Sequence, residues 1–335
     1  MMRVVGRGLV VLVALAVVAW GAGALHFAGP GGGHVPDVLA GVWVAGTLAI
    51  LGAVRPFGRK MVAFGLAVAL LFGWWATVLP SNDRNWSPDV ARLPHGEVHG
   101  DLLTLHDVRD FDYRSETDWT ERWETRTYDL AKLEGVDLFL SYWGSPAIAH
   151  TIMSWRFSDR QHLAISIELR KEVGEVYSPI AGFFRHYELY YVVADERDLV
   201  RLRTNYRGEN VFVYPLRMPA SRARKVLLDY VARMNALVTQ PAFYNTLTQN
   251  CTTTIRTHIL HIGGSMPLDY RLLANGYSDQ LLYEREAIDT SRPFELVRAN
   301  ASIDARAKAA DQDPAFSDRI RDGVAVPPPW PDPAP

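Results

Sequence analysis

Three stretches within the first 80 residues, 8–25, 38–54 and 61–79, carry no charged side chain. Each approaches the roughly 20 apolar residues that a helix needs to cross a bilayer. Any fold for this chain must therefore bury them in lipid or in a protein core. The middle run is the shortest, and a buried or re-entrant helix is its alternative reading. Trp74 and Trp75, near the end of the third run, read as an interfacial aromatic anchor.

The flanks orient these spans. Arg3 and Arg7 precede the first, and Arg55, Arg59 and Lys60 lie between the second and third, whereas residues 26–37 hold no Lys or Arg. The positive-inside rule then puts the N-terminus and the 55–60 loop in the cytoplasm. The first run also has the basic start and small-residue end of a cleaved signal peptide. With or without cleavage, everything after Pro80 is expected outside, giving a protein of the inner (cytoplasmic) membrane with an extracytoplasmic, periplasmic C-terminal part. A formal net charge of -2 argues against electrostatic binding of nucleic acid.

The outer part changes character along its length. Residues 81–102 are polar with Pro88 and Pro94 and read as a linker, at most roughly 3.5 Å per residue. Residues 107–132 interleave charges with aromatics and read as surface strand and loop. Strand-like runs follow at 136–142, 147–157, 162–170, 188–194 and 210–216. In the third, Ile165, Ile167 and Leu169 alternate with Ser166, Glu168 and Arg170, which marks a half-buried strand with one polar face. Val226, Leu227, Tyr230, Val231, Met234 and Leu237 recur at helical spacing, predicting an amphipathic helix over 220–238. A second helix is expected to begin near Asn250 and to end at Gly263 and Gly264. The Pro-rich stretch 322–335 reads as a disordered tail. No internal repeat, Gly-rich phosphate loop or paired-cysteine zinc pattern is present, and no cofactor is called for.

The single cysteine, Cys251, stands in "YNTLTQNCTTTIRTH". Cysteines outside the cell usually come in pairs, so one retained unpaired thiol points towards chemistry. Asn250 is a favoured N-cap, which puts Cys251 in the first helical turn. There, unpaired N–H groups and the positive end of the helix dipole favour a thiolate. The same N–H groups, with Asn250 as a side-chain contributor, suit a developing oxyanion. An ordinary capped helix with a core cysteine is the competing reading.

A thiol nucleophile needs a base, most often histidine. His258 lies seven residues along the same helix, roughly 10 Å away at 1.5 Å per residue, beyond hydrogen-bond reach. With His261 it forms an i, i+3 pair that more often complements a helix end than holds a metal. His150 sits in the apolar run "IAHTIMSWRF", where an unpartnered imidazole is costly to bury. If that strand pairs with the next, Glu168 can fix the imidazole tautomer. His162 and His186 are weaker candidates, and spacing alone does not choose among the three.

The ordered segments "AHTIMSWRF", "LAISIELRKE", "FRHYELYYVVADERD", "LRTN", "VYPL" and "FYNTLTQNCTT" resemble the Lnb-type periplasmic domain family, named for a bacterial lipoprotein N-acyltransferase. The likeness runs from about Val98 through "FSDRIRDG". It implies an α+β fold similar to a circularly permuted papain-like (NlpC/P60-type) domain, with an antiparallel sheet, packed helices and histidine before cysteine. It also implies transfer of a fatty acyl chain from a lipid glycerol ester to an N-terminal amine. By motif, Cys251 matches the nucleophile and His150 the base; the role of Glu168 rests on strand position alone. Three spans ahead of the domain depart from a simple anchor.

The resulting expectation is a transmembrane region at 1–80, a linker at 81–102, an extracytoplasmic Lnb-like domain at 103–321 and a tail at 322–335. The expected activity is thiol-dependent acyl transfer on a membrane lipid or lipoprotein ester, through a thioester. Phe183 and Phe184, between strand-like runs, are candidate lipid or acyl contacts, with core packing under a loop as the alternative. A cysteine peptidase or amidase acting on cell-wall peptides, and a non-enzymatic envelope scaffold, are the competing functions.

Overall fold

The computed structural model describes residues 2–331, with side chains from residue 8 onward. The chain forms two compact units. One comprises Met1–Asn85, Gly174–Glu188 and Ala242–Thr246; the other comprises Trp86–Val173, Leu189–Pro241 and Leu247–Pro335.

The first unit holds helices α1 (Met2–Ala28), α2 (Val35–Ala53) and α3 (Phe57–Thr77), all long and apolar enough to cross a membrane. Ala14, Val18 and Phe64 form their small shared core, while Val42, Leu66 and Leu70 point outward, an apolar surface that water would not solvate well. Small residues let neighbours approach: a Cβ at Gly21 would lie 2.5 Å from Trp43 Nε1, and one at Gly23 would lie 2.5 Å from the Phe184 ring. Phe184 stacks on Phe27 with ring centroids 5.4 Å apart and also meets Trp20. Arg185 donates from Nη1 to the carbonyls of Trp75 (2.7 Å) and Val78 (3.0 Å), capping the end of α3.

The second unit is α+β. Its strands are β1 (His95–His99), β2 (Leu102–Arg109), β3 (Asp112–Tyr113), β4 (Trp119–Thr120), β5 (Trp123–Asp129), β6 (Leu133–Tyr142), β7 (Ala149–Phe157), β8 (His162–Arg170), β9 (Glu188–Ala194) and β10 (Asn210–Pro215). The main sheet runs β1-β2-β9-β8-β7-β6-β10, with β5 also pairing β2. Strand β2 pairs antiparallel with β1 and β5, as β6 does with β7 and β10, and β7 with β8. By contrast, β2 and β9 pair parallel at Arg109 and Ala194. The sheet is therefore mixed rather than antiparallel throughout, because β9 enters beside β2 after a long excursion of the chain.

Helix α5 (Ala220–Thr239) buries Val226, Leu227, Tyr230, Val231 and Met234, the stripe its spacing predicts. Trp155 Nε1 donates to Ala223 O (3.0 Å), fixing α5 to β7. On the other face, Phe139, Ile152, Ala164, Val192, Val211 and Val213 pack with α4 (Glu196–Arg201), α9 (Asp304–Ala309) and α10 (Phe316–Arg319). Helices α6 (Cys251–His261), α7 (Ser278–Glu284) and α8 (Phe294–Ala301) complete the unit. The central strands, covered on both faces, read as continuous apolar runs for that reason.

Two expectations need correction. Residues 81–102 are not a free linker: Pro88–Val90 make a 3-10 turn, Val90 is buried, and β1 is an edge strand of the sheet. Arg170 fastens this segment, stacking on Trp86 at 4.2 Å and donating to Val90 O (2.9 Å) and Ala91 O (2.7 Å). The stretch reads as polar because three of the five β1 side chains stay exposed. The expected disordered tail is pinned at Pro328 and Trp330: Trp330 N donates to Arg217 O (2.9 Å), and the Arg217 side chain donates from Nε to Pro328 O (3.1 Å). Residues 332–335 of that tail lie outside the described residues.

Candidate active site

Cys251 opens α6. Asn250 is its N-cap, with Oδ1 accepting from the backbone N–H of Thr252 (2.9 Å) and Thr253 (2.8 Å), while Thr253 Oγ1 accepts from Asn250 N (3.0 Å). This reciprocal cap fixes the first turn, so the thiol projects from a rigid helix start. Cys251 is buried, 8% exposed.

His150 reaches the thiol from β7. Register pairs Ser141 with His150 and Ile152 with Ser166, so alternation puts Ser141, His150, Ser166 and Glu168 on one face of β6, β7 and β8. Ser166 Oγ donates to Glu168 Oε1 (2.8 Å) and lies 2.5 Å from His150 Nε2. Because the serine proton goes to the carboxylate, Ser166 accepts from His150, and Nε2 carries a hydrogen. Glu168 Oε1 is also 3.4 Å from Nε2. The opposite ring nitrogen, Nδ1, is left as the basic site for the thiol. Glu168 thus orients the imidazole largely through Ser166.

Arg203 supports the carboxylate from beneath. It lies on a π-helical turn, Leu202–Tyr206, a distortion found often at functional sites. Its guanidinium donates to Glu168 Oε1 (3.1 Å) and Glu209 Oε2 (3.0 Å), and Glu209 accepts from Ser141 Oγ. The arginine is buried, 5% exposed, between two carboxylates.

The charges decide how the pair titrates. Burial pushes the Cys251 thiol up, but the charge of His150 and a hydrogen bond with it prevail, bringing the thiol down to about 6. Burial and Arg203 oppose charge on His150, yet Cys251 and Glu168 raise its pKa above the usual imidazole value. Burial likewise pushes Glu168 up, and the hydrogen bond and charge of His150, with Arg203, hold it well below the ordinary carboxylate range. These three shifts favour one microstate: thiolate, imidazolium, carboxylate.

Asn275 closes the other side of the thiol. It is 6% exposed, donates from Nδ2 to Thr252 Oγ1 (2.9 Å) and directs Nδ2 at Cys251 Sγ (3.7 Å). Its Oδ1 accepts from Ala149 N (2.9 Å), at the head of the strand that carries His150.

Residues 119–276 match the family model for the Lnb N-terminal periplasmic domain. The chain carries an Lnb-type domain. The match is narrower than the likeness from Val98 to "FSDRIRDG", yet Ser141, His150, Ser166, Glu168, Arg203, Cys251 and Asn275 all fall inside it. No curated protein and no solved structure matches the chain.

Within the Lnb-type domain, Cys251, His150 and Glu168 come together and Asn250 caps the nucleophile helix. His162 lies at the far end of β8, with Nδ1 3.2 Å from Arg160 O. His186 lies in the other unit, with Nδ1 2.6 Å from Phe27 O. Phe183 and Phe184 also belong to that unit; Phe183 is 38% exposed and Phe184 packs on Phe27. His258 and His261 share Asp229, and among the described residues no three potential ligands converge for a metal.

Sequence reasoning missed four partners of the Lnb-type site: Ser141, Ser166, Arg203 and Asn275. Ser166 and Arg203 did leave signals, the first on the polar face that holds Glu168, the second in the segment "LRTN". Asn275 left none, because its part depends on a loop folding back onto β7.

Proposed function

We propose that this protein is a membrane-anchored, cysteine-dependent acyltransferase that takes an acyl chain from a lipid or lipoprotein ester through a thioester. The observation that carries the reading is geometric: Cys251 stands at a capped helix start beside His150, whose Nε2 is held by Ser166 and Glu168, inside an Lnb-type domain. Attack forms a carbon–sulfur bond and pushes the carbonyl π pair onto oxygen. Collapse expels the alkoxide, which takes a proton from His150. An amine acceptor then gives its proton to His150 as it attacks the thioester, and Cys251 leaves as thiolate.

Support for an acyl rather than a peptide donor comes from exposed apolar side chains within four positions of His150, Cys251 and Asn275 in the chain. Ile148 precedes His150, Leu247 precedes Cys251, and Leu273 and Tyr277 flank Asn275. Three spans would hold such a domain close to its lipid source. In this reading the spans lie in the cytoplasmic membrane with residues after Pro80 outside, and Phe183 and Phe184 serve the lipid-facing unit. The domain is then a permuted papain-like fold, with His150 on the sheet ahead of a helix-borne Cys251.

The test uses full-length protein in liposomes with a diacylglyceryl lipopeptide and, separately, a cell-wall peptide. A fatty acyl mass on Cys251 that passes to the peptide amine, and disappears in Cys251→Ala, is the expected result. Cleavage of the wall peptide without acylation would replace the reading with a peptidase. Full biological activity of Cys251→Ala would replace it with a scaffold.

A further inference from the structure

A thiolate that attacks an ester creates negative charge on the former carbonyl oxygen, and donors must already face that point. Asn250 is poorly placed to donate there, because its Oδ1 accepts from Thr252 N, Thr253 N and Thr253 Oγ1, which turns its carbonyl into the helix. The start of α6 supplies one other donor, the N–H of Cys251 itself, among the amides that a helix start leaves without an internal partner.

Asn275 has what Asn250 lacks. Its Oδ1 is held by Ala149 N, so the orientation of the carboxamide follows from hydrogen bonding: the NH2 end must face Cys251. One N–H is spent on Thr252 Oγ1, and the other is directed at the sulfur from 3.7 Å. An oxygen on the carbon bonded to that sulfur can then sit at the about 2.7–3.1 Å that a hole donor requires.

The position is also rigid. A Cβ at Gly276 would lie 2.1 Å from Pro146 O and 2.6 Å from the Ala147 carbonyl carbon, so only glycine fits there. Gly276 N donates to Ala147 O (3.0 Å), and Tyr142 Oη donates to Gly276 O (2.7 Å). The loop that carries the amide is thus stitched to the β6–β7 connection immediately before His150. Donor and base share one scaffold, which is the preorganisation that electrostatic catalysis needs.

We propose that the Asn275 carboxamide, together with the Cys251 N–H, is the oxyanion hole of this site, an assignment that rests on the thioester reading above. As the C–S bond forms, the oxygen that receives the carbonyl electron pair accepts from Asn275 Nδ2. On collapse that pair returns to carbon, the C–O bond to the alcohol breaks, and the leaving oxygen takes its proton from His150.

The experiment follows p-nitrophenyl octanoate with the full-length protein in detergent, reading the burst of p-nitrophenolate. In parallel, the pH profile of Cys251 alkylation by iodoacetamide reports the thiolate without using an oxyanion hole. Asn275→Ala is expected to slow the burst by about 10²–10³-fold when rates are compared per thiolate, with the alkylation profile correcting for any change in thiolate fraction once the amide no longer faces the sulfur. Asn275→Asp keeps the acceptor for Ala149 N and removes the donor; it should slow the burst comparably when rates are compared per thiolate, and it decides the matter if the alanine variant does not fold. A burst within about tenfold of wild type in the folded variant overturns the assignment alone. So does an alkylation rate that falls in proportion to the burst, since Asn275 would then merely position His150. A wild-type chain that gives no burst overturns the thioester reading and this assignment with it.

Discussion

His150 and His258 are both largely buried imidazoles beside a carboxylate, 12% and 2% exposed, yet their pKa values move in opposite directions. His258 Nδ1 donates to Asp229 (2.6 Å), Nε2 accepts from Tyr191 Oη (2.7 Å), and the ring stacks on Tyr230 with centroids 4.0 Å apart. Both ring nitrogens are occupied, and burial lowers the His258 pKa although the hydrogen bond and charge of Asp229 oppose it. His150 differs in its second partner, an ionisable thiol in place of a tyrosine hydroxyl, and its pKa rises. A histidine with a carboxylate is therefore not a catalytic signature in itself; the group facing its other nitrogen decides. The His258 cluster joins α5, α6 and β9 and holds the helix that presents Cys251.

That contrast can be broken or sharpened experimentally. Cys251→Ala should abolish acyl transfer, by about 10⁴-fold or more, while the protein stays folded. Glu168→Gln should slow transfer by about 10²-fold and move the alkylation midpoint of Cys251 upward from about 6, because the imidazolium loses its carboxylate. An unshifted midpoint would mean that Glu168 does not act through His150. His258→Phe should leave the p-nitrophenolate burst unchanged per folded molecule but lower stability by about 1–3 kcal/mol, as Asp229 and Tyr191 lose a partner. A lost burst at full stability would make the two histidines functionally alike.

The smallest expected effect concerns pH. A histidine whose folded pKa lies below its unfolded value, about 6.5, binds protons more readily in the unfolded chain. Stability from this source is complete above that pH and declines as pH falls through the folded value. Thermal denaturation of the wild type should therefore show an acid-side loss that His258→Phe flattens.

Much of the site was legible because short-range rules govern it. The favoured N-cap residue at 250 placed Cys251 in a first turn, and two-residue alternation placed Glu168 on a polar strand face. The edge strand at His95–His99 was missed because its exposed residues imitate a linker. The aromatics of 107–132 read as surface, yet Phe111 and Tyr113 form a small core with Leu202, against which Trp119, Trp123 and Tyr206 pack. Charges between them conceal the apolar pattern.

By itself the sequence determined three apolar spans, the strands β6 to β10, helices α5 and α6, and the local frame of Cys251 and Glu168, since hydrophobic period and capping act within a few residues. Only the tertiary structure decided that β7 would pair with β8 in the register that brings Ser166 to His150. It alone set Arg203 between two carboxylates and turned Asn275 towards the thiol. Those outcomes depend on contacts between residues as far apart as 126 positions, from Ala149 to Asn275. Such contacts are fixed by packing the whole sheet, and no local preference encodes them.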